Sequence, residues 1–279
     1  MSLEAEKPTG ADVKLQSEIR IPAWLDLGTI LSALLFVLLM TAWHFSVALG
    51  LVPVFVLPAP LDVAAKVLHD VVDPSVQYDI LYTVAEILIG FAVAAIFGIV
   101  FGAAIALVPL VDRVLSPYIV ALQTIPKVAI APLLIIWFGF GIESKIVIVA
   151  LIAFFPILVN VVLGFRSTDP RQIVLMNVLD ASVWQIFAKV RIPNALPFIM
   201  AGLYIAMIFS VIGAVVGEFL GSAYGLGSQI MQRQASMDVV GVYSVLVLLT
   251  VIGIALNVIV KMVSRKLVFW GSSEEPTGI

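Results

Sequence analysis

Long apolar stretches alternate with short polar segments along this chain, and their lengths predict membrane-spanning helices. No Asp, Glu, Lys or Arg occurs between Asp26 and Asp62, and further charge-free runs cover 87–111, 114–126, 128–142, 146–165, 192–217 and 239–260. A helix that crosses a hydrocarbon core of about 30 Å needs about 20 apolar residues. The pattern therefore predicts an all-α membrane protein with six transmembrane helices, at about 27–49, 84–107, 114–138, 146–165, 198–220 and 242–262.

The third predicted span is the least regular of the six, because it contains Pro117, Pro126 and Pro132. Each proline removes a backbone donor. A break of this kind is tolerated in a membrane where neighbouring protein or a wet cavity satisfies the freed carbonyls. Lys127 follows the central proline, and a charge at this depth is expected to face protein or a cavity. We therefore expect a break near Pro126 that does not face lipid.

The composition agrees with the apolar pattern and excludes a soluble enzyme. Hydrophobic residues make up 62% of the 279 residues, charged residues make up 12%, and the mean hydropathy is +1.17. Soluble domains carry about 25% charged residues. The formal net charge of −3 gives no basic field for nucleic acid.

The basic residues predict the orientation, because Lys and Arg near span ends favour the cytoplasmic side. With the N-terminus inside, 11 of the 15 basic residues are cytoplasmic: Lys7, Lys14, Arg20, Arg113, Arg166, Arg171, Lys189, Arg191, Lys261, Arg265 and Lys266. Both termini are therefore expected in the cytoplasm. Cytoplasmic tails at 1–26 and 267–279 flank a six-helix transmembrane domain at 27–266.

Two loops are longer than simple connections. In the outer loop, Val63, Val67, Leu68 and Val71 recur at helical spacing and predict an amphipathic helix on the outer surface. The inner loop, 166–197, is the longest polar segment between spans.

The inner loop contains signals for two short helices. Asp169 followed by Pro170 is typical of a helix start, here of a helix over 170–179. Ser182 and Gln185 predict a capping box that opens a second helix to about 190, which Pro193 and Pro197 end. The two helices carry an apolar ridge formed by Ile173, Leu175, Met176, Leu179, Trp184, Ile186 and Phe187. The ridge fits either an interfacial hairpin on lipid headgroups or a docking surface for a soluble partner.

This inner loop resembles the signature of the permease subunits of bacterial binding-protein-dependent ABC importers. The family's loop reads E-A-A-x3-G-x9-I-x-L-P, and the frame here runs from Val174-Leu175-Met176 through Asp180 and Val190 to Ile192-Pro193. The spacing, the apolar positions and the proline match, whereas Glu-Ala-Ala is absent and Asp180 replaces the glycine. The segment 179–185 is similar to the family's Leu-Gly-Ala-Ser-x-x-Gln.

Further segments extend the resemblance over most of residues 53–262. They are similar to the nitrate/sulfonate/taurine subgroup and lie at 55–60, 123–133, 137–145 and 217–227. The resemblance implies a multi-pass permease of the bacterial cytoplasmic (inner) membrane that pairs with a second copy or a paralogue. Each permease would seat its coupling loop in one of two ABC ATPase subunits and receive solute from an extracytoplasmic binding protein.

The resemblance also limits the cofactors and the substrate. ATP and Mg would belong to the partner ATPase, so no cofactor is expected on this chain. The substrate is expected to be a small anion such as nitrate, a sulfonate, taurine or a carboxylate. A pyrimidine-type vitamin precursor is the alternative.

Three groups of candidate residues follow. The resemblance places contacts with the ATPase at Arg171, Val174, Met176, Leu179, Asp180, Ala181, Ser182, Trp184, Gln185 and Pro193. Polar residues and the proline break within spans are candidates for the translocation pathway: Gln123, Thr124, Pro126, Lys127, Asn160, Ser210 and Glu218. Small residues at close spacing predict helix packing at Gly90, Gly98, Gly102, Gly213 and Gly217.

Each group has a second interpretation. The glycine ridges fit static packing or a sliding seam during transport. Lys127 could attract an anion, pair with an acid or extend to the interface. Asn160 and Ser210 could instead form interhelical hydrogen bonds, and Glu218 could bond to the backbone of 221–227 or act as an outer gate.

No catalytic or metal site is expected on this chain. It lacks Gly-x4-Gly-Lys-Ser/Thr, it has no Cys, and its two histidines, His44 and His69, are far apart in sequence. An ATP-independent secondary transporter or channel is the rival class, but it would be expected to show inverted repeats or ionisable relays within its spans. A membrane scaffold would leave the proline breaks unexplained.

Overall fold

The computed structural model describes residues 27–270, and all the secondary structure in this range is helical. The predicted tail 1–26 and most of the predicted tail 267–279 lie outside the described residues. Two compact parts can be distinguished, one up to Pro60 and one from Leu61 onward. In the first part, α1 (Leu27–Ala48) is apolar along its length. Trp43, in the second half of α1, donates from Nε1 to the carbonyl of Pro58 at 3.0 Å.

The second part is a helical bundle. Its helices are α2 (Pro60–Val72), α3 (Pro74–Leu107), α4 (Pro109–Thr124), α5 (Lys127–Phe138), α6 (Ile142–Arg166), α7 (Pro170–Val178), α8 (Val183–Ile186), α9 (Ile192–Phe219), α10 (Leu226–Ala235) and α11 (Val239–Leu267). A π-helical turn, Phe187–Arg191, joins α8 to α9. Among the described residues, five helices are long and apolar enough to cross a membrane, or six if α4 and α5 form one bent span.

Helix α6 lies at the centre of the bundle, between α3 and α9. A Cβ atom added at Gly90 of α3 would lie 2.5 Å from Val149 Cβ of α6, and one at Gly213 of α9 would lie 3.0 Å from Val149 Cα. The other predicted packing glycines also face α6, at Gly98, Gly102 and Gly217. In lipid, no hydrophobic effect drives helices together, so helices associate through close contacts between their backbones.

The third predicted span is not one straight helix. Helices α4 and α5 are bent by 96° at a break formed by Ile125 and Pro126. Pro117 and Pro132, in contrast, lie inside helices and do not break them. A proline interrupts a helix where the residue before it leaves the helical region, and Ile125 is extended, with φ −71° and ψ 128°.

The prediction that Pro193 and Pro197 end the second loop helix is wrong. The chain is helical without interruption from Val183 to Phe219, a run of 37 residues. Pro193 lies in the first turn of α9, and the N–H of Ile192 donates to the carbonyl of Phe187, five residues earlier. Because the π turn shifts the backbone pairing just before the proline, the missing donor of Pro193 does not stop the helix.

Gly98→Leu is expected to damage the contact between α3 and α6. A Cβ at residue 98 would lie 2.8 Å from Ile157 Cγ2, so a leucine must push the two helices apart. Overpacking costs about 1–3 kcal/mol, and we expect a lower melting temperature and loss of transport. Val100→Leu, on the exposed face of α3, is the matched control. Normal stability together with normal transport in Gly98→Leu would contradict this packing.

Candidate functional site

The chain path gives the bundle two distinct ends. The hairpin formed by α7 and α8 (Pro170–Ile186) follows α6 and precedes α9, and the last turn of α11 returns to this end. Helix α10 follows α9 at the opposite end, where α3 begins. We refer to them as the hairpin end and the α10 end.

The hairpin is built by local capping interactions that its sequence encodes. Asp169 caps α7 through a 2.8 Å bond from the Arg171 N–H. Ser182 and Gln185 form a reciprocal capping box at the start of α8, as predicted. These bonds satisfy backbone donors that a helix start otherwise leaves free.

The turn between α7 and α8 has a backbone conformation that favours glycine at residue 180. Asp180 has a φ of 53°, in the left-handed region that glycine adopts without strain. The N–H of Ala181 donates to the carbonyl of Met176 and that of Asp180 to Asn177, which is the bonding pattern of a helix ended by a left-handed residue. Asp180 keeps this turn despite the lost glycine, since aspartate tolerates the conformation better than most residues.

The tip of the hairpin presents apolar side chains to its surroundings. Val183 is 85% exposed, Trp184 71% and Leu179 67%, and Val174 and Val178 are exposed as well. Beneath this surface Phe187 stacks on Phe165 of α6, with ring centroids 5.9 Å apart. The hairpin is therefore anchored to the bundle while it exposes a contiguous apolar surface of the kind that marks interaction sites.

The bend between α4 and α5 holds the predicted pathway residues Gln123, Thr124, Pro126 and Lys127. Lys127 Nζ donates to the carbonyl of Gln123 at 3.2 Å and lies 4.8 Å from the centre of the Phe155 ring. Gln123 and Thr124 are exposed. The bend thus places a cation over an aromatic face of α6.

The remaining pathway candidates lie elsewhere and have partners. Asn160 Nδ2 donates to the Pro156 carbonyl at 2.8 Å, and Ser210 Oγ donates to the Ala206 carbonyl at 2.8 Å, each within its own helix. Ser210 and Glu218 are buried. The structure does not bring these three residues together with Lys127 into one open surface.

Glu218 belongs to a buried polar network at the α10 end. Its carboxylate accepts from Thr83 Oγ1 at 2.6 Å and from the N–H of Gly227. Thr83 Oγ1 accepts from the N–H of Leu226 at 2.8 Å, and Asp79 accepts from the N–H of Gly225 at 2.7 Å. Three side chains thus receive three consecutive donors at the start of α10, where negative charge is favoured.

Two more buried ionisable side chains accompany this network. Glu86 of α3 is fully buried, close to Glu218 and Lys145. Lys145 of α6 is also fully buried and donates to the carbonyl of Phe140. The network formed by Asp79, Thr83 and Glu86 is not predicted from the sequence, although the spacing of these residues places all three on one face of α3.

An ion pair and a hydrogen bond hold α2 against α10 and α11. Asp70 is 1% exposed and pairs with Arg233 of α10, while Ser244 Oγ of α11 donates to it at 2.7 Å. Val63 and Val67 face the bundle with Asp70, whereas Leu68 and Val71 are exposed. The predicted amphipathic helix therefore exists, but part of its predicted apolar face is not buried.

The stability of the α2 contact is expected to fall in acid. Burial alone would raise the pKa of Asp70, but the hydrogen bonds from Arg233 and Ser244 and the charges of Arg233 and Lys66 outweigh it and lower the pKa. A lowered pKa means that this contribution is complete above the unfolded-state value of about 3.9 and is lost as the pH falls through the folded-state value.

We therefore expect acid sensitivity that depends on Asp70. Between about pH 5 and pH 2, the melting temperature of the wild type should fall more than that of Asp70→Asn. Asp62→Asn, on the exposed side of α2, is the control. Parallel curves for the wild type and Asp70→Asn would show that the pairing adds nothing to stability.

Together these features define a class of protein. Five or six candidate spans among the described residues, with an apolar hairpin at one end of the bundle and a polar network that fixes a short helix at the other, describe a multi-pass membrane protein. The comparisons with known proteins identify its family. Residues 94–269 match the model of the binding-protein-dependent transport system inner membrane component, and the chain belongs to this family of ABC transporter permeases.

Several relatives resemble the chain over most of its length. The formylaminopyrimidine transport permease ThiX of Halalkalibacterium halodurans is 33% identical over 85% of this chain and 94% of its own. The riboflavin transport permease RibX of Chloroflexus aurantiacus is 35% identical over 85% of this chain and 88% of its own. The taurine transport permease TauC of Escherichia coli is 28% identical over 83% of this chain and 86% of its own. Such relatives are permease subunits and not enzymes.

A solved structure shows the same fold. It is a chain of the MetNI methionine ABC transporter in inward-facing conformations, with a TM-score of 0.59 and 20% sequence identity over 68% of this chain and 94% of that chain. The all-helical permease fold predicted from the sequence is thereby confirmed.

Proposed function

We propose that this chain is the transmembrane subunit of an ATP-driven importer in the bacterial cytoplasmic membrane, with the hairpin end in the cytoplasm. The observation that supports it best is the hairpin tip, where Leu179 is exposed at the end of α7 and Val183 and Trp184 are exposed at the start of a helix that continues into the membrane domain. The excess of basic residues on this side supports the orientation.

The proposed complex contains two permeases, either two copies or this chain and a paralogue. Each hairpin sits on one ATPase subunit, and a binding protein delivers solute at the α10 end. ATP binding draws the ATPases together and moves the hairpins, which opens the pathway outward, and hydrolysis resets it. ATP and Mg belong to the ATPase subunits in this proposal.

Reconstitution tests this proposal. The chain is placed in liposomes with its partner ATPase and binding protein, and ATP hydrolysis is measured with and without the loaded binding protein. We expect stimulation that requires the permease. Solute uptake that proceeds without ATP and without the ATPase would overturn the proposal in favour of a secondary transporter.

The proposal includes two substrate classes, and a substitution of Lys127 distinguishes between them. A small anion is favoured by the ammonium group exposed at the bend between α4 and α5. A heteroaromatic vitamin precursor is favoured by the relatives, since ThiX and RibX are named for formylaminopyrimidine and riboflavin. The binding protein selects between them, so a thermal-shift screen of that protein identifies the substrate directly.

Lys127→Met is expected to lower the uptake efficiency for an anion about tenfold, because one favourable charge interaction near the pathway, of about 1.4 kcal/mol, is removed. Lys127→Arg keeps the charge and serves as the control. Uptake kinetics are measured in proteoliposomes with saturating binding protein. Unchanged anion kinetics in Lys127→Met would rule out an anion path over this bend.

A further inference from the structure

An open groove runs between α9 and α11 on the surface of the bundle. Its volume is about 580 Å³, and its walls are apolar side chains that include Ile208, Ile212 and Ile254. The groove extends along α11 from Leu246 to Lys261. At 1.5 Å per residue the groove is about 22 Å long. One leaflet contributes about half of a hydrocarbon core of about 30 Å, so the groove is long enough for a lipid acyl chain.

Gly253 leaves the groove open, and this glycine differs from the packing glycines. A Cβ atom added at Gly253 would meet only Val211 Cγ2 at 3.8 Å, an ordinary contact, whereas one at Gly90, Gly98 or Gly102 would lie under 3 Å from a side chain of α6. Gly253 therefore does not serve a close helix contact. Its missing side chain provides space in the groove wall.

Three polar side chains, those of Tyr204, Asn257 and Lys261, lie toward one end of the groove, and Thr250 farther along α11 uses its hydroxyl to donate to the Leu246 carbonyl. Lys261 is exposed at the hairpin end, and Asn257, one turn deeper along α11, has a buried Oδ1 with no hydrogen-bond partner among the described residues. Tyr204 of α9 lines the same groove. A buried acceptor without a donor costs free energy, so a hydrogen-bond donor that entered the groove beside Asn257 would be favoured.

We propose that this groove binds one anionic phospholipid with hydroxyl groups in its headgroup, of the phosphatidylglycerol type. The phosphate lies on Lys261, a headgroup or glycerol donor reaches Asn257, and an acyl chain lies along Gly253 and the isoleucines. Basic clefts between transmembrane helices on the cytoplasmic side suit such headgroups. This site is separate from the proposed coupling and pathway residues.

The charge distribution favours a lipid over a second copy of the chain. Two copies that met symmetrically through this groove would bring their Lys261 side chains toward each other, together with the nearby Lys266, and like charges at a contact are unfavourable. An anionic headgroup neutralises the same charge. The groove is therefore assigned to lipid.

The test uses native mass spectrometry of the full chain purified in detergent, with phosphatidylglycerol or phosphatidylcholine of equal chain length added. We expect at least fivefold more retained phosphatidylglycerol on the wild type. Lys261→Gln should remove this preference, while Lys266→Gln, outside the groove, should keep it. Gly253→Leu should reduce binding of both lipids, while Ala255→Leu on the exposed face of α11 should not.

Three outcomes would overturn the proposal. One is equal retention of the two lipids by the wild type, and another is unchanged retention in Gly253→Leu that elutes as a folded, monodisperse protein. The third is a Gly253→Leu variant that loses its oligomeric state and keeps its lipid, because the groove would then be an interface between copies.

Discussion

Trp184→Asp is expected to abolish transport-coupled ATP hydrolysis and leave the permease folded. Trp184 is 71% exposed at the hairpin tip and its ring lies 5.5 Å from that of Phe187, so the substitution removes one ring contact and adds a charge at the centre of the proposed ATPase contact. Loss of a central aromatic residue from an interface costs about 2 kcal/mol or more. Affinity for the ATPase should therefore fall about 30-fold or more.

The measurement is co-purification of the ATPase with the permease, followed by the rate of ATP hydrolysis in proteoliposomes. Phe269→Asp is a matched control, because Phe269 is 81% exposed, is aromatic and follows α11 outside the hairpin. Thermal melting of the isolated permease should be unchanged in both variants. Full ATPase binding by Trp184→Asp would show that the hairpin is not the docking surface.

Glu218→Ala is expected to destabilise the α10 end more than any other single truncation of a charged side chain there. It leaves the buried N–H of Gly227 without an acceptor and removes the partner of Thr83. Each buried group left unsatisfied costs about 1–3 kcal/mol. We expect a total loss of about 2–5 kcal/mol and a clear fall in melting temperature.

Glu143→Ala is the control for Glu218→Ala, since Glu143 is exposed in the first turn of α6. Its loss should cost less than about 1 kcal/mol, the size of a favourable charge at a helix start. Glu218→Gln, which keeps one acceptor oxygen, should lie between the two. Equal melting temperatures for the alanine variants would contradict the role of Glu218 in holding α10.

Residue types and periodicity were sufficient to predict the membrane class, most of the spans and the start of each hairpin helix. The capping box at Ser182 and Gln185 was predictable because it depends on two residues three positions apart. The exposure of Trp184 and Val183 follows from the same short segment. Local signals of this kind survive folding because few distant contacts compete with them.

Long-range pairs were not predictable in the same way. Nothing in the sequence near Glu218 indicates Thr83, which lies 135 residues earlier, and Asp70 and Arg233 are 163 residues apart. The bend at Pro126 was expected, but its angle depends on how α5 packs on α6. The continuation of the helix past Pro193 depends on a π turn that no residue type specifies.

The uninterrupted helix from Val183 to Phe219 carries exposed apolar residues at one end and Glu218 at the other. At 1.5 Å per residue its 37 residues extend about 55 Å, longer than the hydrocarbon core is thick. An axial displacement applied at Trp184 therefore reaches Glu218 without passing through a flexible loop. The same helix that carries the proposed ATPase contact also supports the start of α10, so one continuous helix links the hairpin end of the bundle to the α10 end.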